Sequence, residues 1–393
     1  MCCRESELGF PKASNCATIE IIGNGARDCV AVSSNSNHLV RQGLRYGLPC
    51  LLRRALTPAL GLATKRMVVG WRPEAYGIAR GPFFRPRPRE KNQRLRMAVL
   101  ESLYPLVPQR YKNAAKHGAA LVNRLSSSPR MKPSFLIIGA QKSGTSSLFK
   151  YLMRHGHFLR PLLKDVYFFD RNYRKGMEWY LSFYPSQAAQ KQREDRLGGP
   201  VVSSEGATHY ILNPWVPQRV REAFPDIKII VLLRNPVQRA LSHYFHNRRM
   251  GSESLPSALE AFQKEQERIE VEEKRLFSDP DYSSHDYNSY TYLARGRYAE
   301  QLERWFEHFP REQFLILCSE RFYKDTDRHF RTICNFIGIP EKSLDVYRVE
   351  GKGTNREEQP DAVEMAQEYF GPHNEKLFEL LGERYDWPSS KDS

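Results

Sequence analysis

Residues 133–170 read PSFLIIGAQKSGTSSLFKYLMRHGHFLRPLLKDVYFFD, and the fold turns on this stretch. The apolar run Phe135-Leu136-Ile137-Ile138, bounded by Pro133 and Gly139, has the character of a buried parallel strand. A short polar loop follows, Gly139 to Ser143. Gly144, Thr145, Ser146 and Ser147 then lead into a segment whose Leu148, Tyr151 and Leu152 share one helical face. A strand, a small-residue loop with a lysine and a helix N-terminus make an anion site. The loop amides, the helix dipole and the Lys142 ammonium converge on one place.

The spacing selects among phosphate loops. A Walker A loop places its Lys directly after the second Gly. Here Lys142 precedes Gly144, in the order G-x-x-K-S-G-T-S, so a P-loop NTPase or nucleotide kinase fits poorly and stands as a rival reading. A glycine-rich turn with a solvated lysine would look the same locally, so the rest of the chain has to decide.

Downstream, Arg160 to Asp170 reads as a loop running into an aromatic segment, and Trp179 to Pro185 as a helix ending before the proline. Val201 to Gly206 reads as a second short strand. Ile227 to Leu233, IKIIVLL, is the clearest buried strand and runs into Arg234-Asn235-Pro236, with Pro236 well placed as the first residue of a helix. A charged, exposed helix is expected near Leu255 to Leu276, and a loop over Asp279 to His285. An amphipathic helix is expected over Arg297 to Phe309 and a buried strand over Phe314 to Cys318. Helices near Thr326 to Ile337 and Pro360 to Leu381 close the chain. Strands alternating with helices predict an α/β fold of three layers, with a mostly parallel central sheet and a P-loop-like loop after the first strand.

The second informative motif is LLRNPVQRALSHYFHNRR, Leu232 to Arg249. Arg234 leaves the end of a strand, where open α/β sheets place ligand contacts. Ser242 lies about two turns into the following helix. A guanidinium fork and a hydroxyl together suit one phosphate.

These two motifs together resemble the signatures of sulfotransferases that use 3′-phosphoadenosine 5′-phosphosulfate (PAPS). Three further stretches resemble the heparan sulfate N- and 3-O-sulfotransferase group: KDVYFFD (Lys164 to Asp170), RGRYAEQLERWFEHFPREQFLIL (Arg295 to Leu317), and KGTN (Lys352 to Asn355) with YFGPHNEKLFELLGERYDW (Tyr369 to Trp387). The resemblance implies that Lys142, Ser143, Gly144, Thr145 and Ser146 bind the 5′-phosphosulfate, and that Arg234 and Ser242 bind the 3′-phosphate. It implies that Lys352, Gly353, Thr354 and Asn355 close over the nucleotide. Asp165 stands where the group has its proposed general base. Sulfuryl transfer of this kind is positioning plus charge stabilisation, and its chemistry requires no metal.

The departures from the group are specific. Asp165 replaces a Glu and Tyr167 a His. In SEGATHY, Ser204 to Tyr210, the active-site Lys of the group's E-K-[ST]-P-x-Y segment is replaced by Gly206. The group's cysteines are absent between Leu344 and Lys352. These changes point away from a true heparan sulfate 3-O-sulfotransferase. They point toward another carbohydrate or a small hydroxylated acceptor, with His209 next in line as base. A relative that binds nucleotide or glycan without catalysis is the second rival. Acceptor choice is expected to sit in segments such as Arg171 to Gly199 and Leu276 to Ser289.

The net charge of +15 is unevenly placed. Met1 to Pro133 carries 23 Lys and Arg against 7 Asp and Glu, while Ser134 to Ser393 carries 37 against 38. The basic footprint thus lies outside the expected catalytic domain, which removes the case for specific nucleic-acid binding there. Residues 1–130 read as a basic, poorly ordered extension, suited to touching an anionic surface, and residues 131–390 as the sulfotransferase domain. Seven scattered cysteines include no zinc-spaced pair, and Cys318 and Cys334 read as buried thiols. No apolar run reaches the roughly 18 to 20 residues of a membrane span. The resemblance suggests the Golgi lumen. The absence of N-x-[ST] sequons and of the group's cysteines leaves cytoplasm or plastid as alternatives.

Overall fold

A computed structural model of the chain describes residues 108–344, 347 and 359–387. Its centre is a four-stranded parallel sheet in the order β2-β1-β3-β4, with β1 at Phe135–Gly139, β2 at Ser204–Glu205, β3 at Lys228–Leu233 and β4 at Phe314–Cys318. Successive side chains of a strand point to opposite faces. Leu136, Ile138, Ile229, Val231 and Leu233 therefore pack on one side, with Phe169, Tyr180, Tyr298, Leu302 and Trp305. Phe135, Ile137, Ile230 and Leu232 pack on the other, with Leu148, Tyr151, Leu152, Phe330 and Ile333. Helices cover both faces, which is the three-layer α/β architecture the alternating pattern predicts.

The strand order places the site. From β1 the chain crosses to β2 on one side, then returns to the other side of β1 for β3 and β4. The loops leaving β1 and β3 therefore diverge around a switch point, where open α/β sheets form their ligand crevice. Ala140 N–H donates to Leu232 O at 2.7 Å and ties the two exits together.

Several expected boundaries hold closely. Helices occupy Thr145–Leu152, Pro236–Met250, Tyr298–Phe306, Thr326–Ile337 and Pro360–Leu381. Others change. The strand expected over Val201 to Gly206 is only Ser204–Glu205, because Val202 pairs with Phe158 instead. The single helix expected near Leu255 to Leu276 is two, Ala258–Gln263 and Glu265–Ser278. It is also not simply exposed. Glu265 is buried and accepts the amides of Leu293 at 2.5 Å and Ala294 at 2.8 Å. Within Arg171 to Gly199 the helix expected over Trp179 to Pro185 runs instead over Met177–Leu181, and a second helix forms at Gln187–Leu197.

A helix, Gln109–Leu125, lies inside the segment expected to be poorly ordered. Its Asn123 Nδ2 donates to Ser182 O at 2.8 Å, and its His117 ring sits edge-on to Phe183 at 5.3 Å. Residues 1–107 lie outside the described residues.

Among the described residues, no helix is long and apolar enough to cross a membrane. Cys318 and Cys334 are buried free thiols.

Candidate active site

The loop after β1 takes its shape from two residues in left-handed backbone, Lys142 at φ 70° and Gly144 at φ 97°. Gly144 is obligatory on two counts. A β-branched or bulky residue resists that φ, and any Cβ there would fall onto the Tyr323 hydroxyl. The turn then feeds directly into the Thr145–Leu152 helix, so the helix amides open toward the loop. Thr145 is buried at its first position, while Ser146 is exposed. Ser143 is fully buried, and its hydroxyl has no hydrogen-bond partner among the described residues.

The loop after β3 meets this one. Arg234 Nη1 donates to Lys142 O at 3.1 Å, so the two predicted phosphate-binding cations are brought to one crevice. Arg234 is itself held by its backbone, because Tyr298 Oη donates to Arg234 O at 2.8 Å. The next residue, Asn235, caps the Pro236–Met250 helix by accepting Gln238 N–H at 3.1 Å. Ser242 is half-buried on that helix. Lys352, Gly353, Thr354 and Asn355 lie outside the described residues.

A short helix after β4, Ser319–Lys324, braces both loops, and nothing in the local sequence announces it. Ser319 Oγ donates to Ser143 O at 2.9 Å, and Tyr323 Oη donates to Ser147 Oγ at 3.0 Å. Glu320 Oε1 accepts Asn235 N–H at 3.0 Å, while its Oε2 accepts Trp387 Nε1–H at 3.1 Å.

Asp165 lies on the segment that β2 holds. Glu205, on β2, is fully buried, and its Oε1 accepts the amides of Val166 and Tyr167, each at 2.7 Å. Tyr210 Oη donates to its Oε2 at 3.0 Å. Burial outweighs these hydrogen bonds and pushes the Glu205 carboxyl up to about 8. Asp165 itself is half-buried and pairs with Lys164 Nζ at 2.9 Å. Sequence reading assigned no role to Glu205 or Lys164, although both flank positions it singled out.

His209 is buried beside this segment. Its Nδ1 lies 3.1 Å from Arg171 Nη2 and 2.7 Å from Asn288 Oδ1. Burial first, then the charges of Arg295 and Arg171, hold the imidazole well below its ordinary pKa, so it is neutral near pH 7. A cavity of ≈ 440 Å³ opens here, lined by Gln141 of the phosphate loop, Arg171, His209, His243, Asn247 and Asn288 among others. Its lining is polar, with no aromatic wall other than imidazole. His243 Nδ1 and Gln141 Oε1 have no hydrogen-bond partner among the described residues. Among those residues, no group of three or more His, Cys, Asp or Glu is placed to hold a metal ion.

This arrangement sets a cationic crevice beside a polar cavity with a carboxylate on its neighbouring segment. That is what group transfer from an anionic donor to a hydroxylated acceptor needs. Comparison with known proteins points the same way. The sequence model of the sulfotransferase domain matches residues 132–350. The human heparan sulfate glucosamine 3-O-sulfotransferase 6 is 26% identical over 291 residues, 67% of this chain and 76% of that protein. The bifunctional heparan sulfate N-deacetylase/N-sulfotransferase 1 of Caenorhabditis briggsae is 26% identical over 242 residues, but only 25% of its length is matched. A solved sulfotransferase from Alicyclobacillus acidocaldarius is 31% identical, with 65% of this chain and 98% of that one covered and a TM-score of 0.49. The matched domain takes in the β1 loop, the Asp165 segment and the Arg234 turn alike, and the chain belongs to the sulfotransferase domain family.

Proposed function

We propose that this chain transfers a sulfuryl group from PAPS to a hydroxyl or amine of a carbohydrate or related acceptor, releasing adenosine 3′,5′-bisphosphate. The observation that carries this reading is the Arg234–Lys142 contact, 3.1 Å across the switch point. It supports one ligand anchored at two phosphate groups, one at each loop. The buried Ser143 hydroxyl, without a hydrogen-bond partner among the described residues, and the small Gly144 suit close approach of a phosphosulfate to the backbone.

In this reading the acceptor oxygen bonds to sulfur as the bond from sulfur to the 5′-phosphate oxygen breaks. The electron pair leaves on that phosphate, where Lys142 and the helix amides stabilise it. The acceptor proton passes to Asp165, and His209 is the alternative base. Thr145 and Ser146 complete the 5′ side, and Ser242 joins Arg234 on the 3′-phosphate. Lys352, Gly353, Thr354 and Asn355 cover the nucleotide. The polar cavity beside Gln141 receives the acceptor, and the names of the heparan sulfate relatives favour a sugar. The resemblance to the heparan sulfate group supports the Golgi lumen as the compartment, with cytoplasm or plastid as the alternatives.

Calorimetric titration of the chain with adenosine 3′,5′-bisphosphate, beside ATP and AMP and with and without Mg²⁺, tests the donor. Metal-independent preference for the bisphosphate is expected. Preference for Mg-ATP would overturn the reading.

A further inference from the structure

Lys164 and Gly206 are clasped in both directions. Gly206 N–H donates to Lys164 O at 2.8 Å, and Lys164 Nζ donates back to Gly206 O at 2.7 Å. The same ammonium donates to Asp165 Oδ1 at 2.9 Å. Its stem runs through the space that a side chain at 206 would fill. A Cβ on Gly206 would lie 3.1 Å from Lys164 Cε, 3.3 Å from its Nζ and 3.3 Å from Phe149 Cδ2. A side chain at 206 therefore crowds the extended Lys164, which must give way by a few tenths of an ångström.

Resting on the transfer reading above, we propose that Lys164 is the positioning residue of the acceptor side, delivering from 164 the ammonium that position 206 lacks and fixing the Asp165 carboxylate. An ammonium has three N–H donors, and two are committed to Asp165 and Gly206. The third serves the acceptor or the sulfuryl oxygens. The ion pair itself contributes little to folding. Lys164 and Asp165 keep 21% and 31% of their side-chain surface exposed, and such pairs add little to stability. Orientation of a base, by contrast, acts directly on rate. Glu205 and the Lys164–Gly206 clasp hold residues 164–167 to β2, so the ammonium has a fixed platform.

The experiment compares wild type, Lys164→Ala, Lys164→Met, Gly206→Lys and the double variant Lys164→Ala/Gly206→Lys. Nucleotide affinity is measured by titration with adenosine 3′,5′-bisphosphate, which also reports folding. Turnover is read as bisphosphate release from PAPS, with desulfated heparan sulfate as acceptor and with water alone. Lys164→Ala and Lys164→Met should keep wild-type nucleotide affinity and lose about 10- to 100-fold in kcat with little change in KM. Gly206→Lys should also lose turnover, because the added side chain crowds Lys164 out of its place. The double variant should exceed both of its parents. Wild-type kcat in the Lys164 variants, with normal nucleotide binding, would overturn the proposal. A double variant no better than its parents, again with normal binding, would also overturn it. If wild type itself fails to bind the bisphosphate, the donor reading falls instead.

Discussion

At the scale of single residues, Lys142 carries two roles that substitution separates. Its φ of 70° is costly for a side-chain-bearing residue, and its ammonium is the group proposed to meet the donor. In Lys142→Gly the backbone requirement is met and the amine is lost. Stability should stay within about 1 kcal/mol of wild type by thermal unfolding, the relieved strain offsetting the added freedom of the unfolded chain. Turnover should fall by at least about 10²-fold. Asp165→Asn should keep bisphosphate affinity and lower turnover by about 10²-fold or more. An unaltered rate in that variant would transfer the base to His209, whose imidazole burial keeps neutral. Lys142, Gly144 and Arg234 were legible in the sequence because each sits at a strand exit marked by a change of period. Lys164 and Glu205 were not. Their partners stand about forty positions away, and the Phe158–Val202 bridge ahead of β2 draws the two segments together.

Among elements, the Pro236–Met250 helix positions Arg234 through its start. Asn235 caps it with a side-chain oxygen while its own amide is held by Glu320. Asn235→Ala should cost about 1 kcal/mol of stability and weaken bisphosphate binding, and Asn235→Ser should restore both. Unfolding curves and the same titration check this. The long helices were readable because each carries an apolar stripe and a clear start or stop. Gln187–Leu197 was not, for it buries no residue and is fixed by a serine cap and by Arg193 reaching Gly156 O. Ser319–Lys324 is a single short brace whose targets, Ser143 and Ser147, are 176 positions distant.

Over the whole molecule, two sets of buried groups oppose each other as pH changes. Burial raises Glu205 to about 8, Glu265 to about 7 and Asp170 to about 6, so the folded state retains protons that the unfolded chain releases. Their contribution is full below the unfolded carboxyl pKa and is lost as pH rises through these values. His209 and His243 are shifted the other way by burial and neighbouring cations, so their contribution is present above the unfolded imidazole pKa and is lost as pH falls. Above the ordinary imidazole pKa the carboxyls act alone, so the midpoint of thermal unfolding should decline from about pH 6.5 toward pH 8. Glu205→Gln should flatten that decline, and melting curves across pH 5 to about 8.5 would show it.

The Glu320 carboxylate, shared between the Asn235 amide and the Trp387 indole, has an optical consequence. Indole emission responds to a charge within hydrogen-bond distance, and this charge also grips the turn that carries Arg234. An anion drawn onto Arg234 is expected to shift that turn's field and, through Glu320, the indole emission. Trp387 should therefore report occupancy. Its signal should survive in Lys142→Gly, where the other loop has lost its ammonium, and vanish in Trp387→Phe.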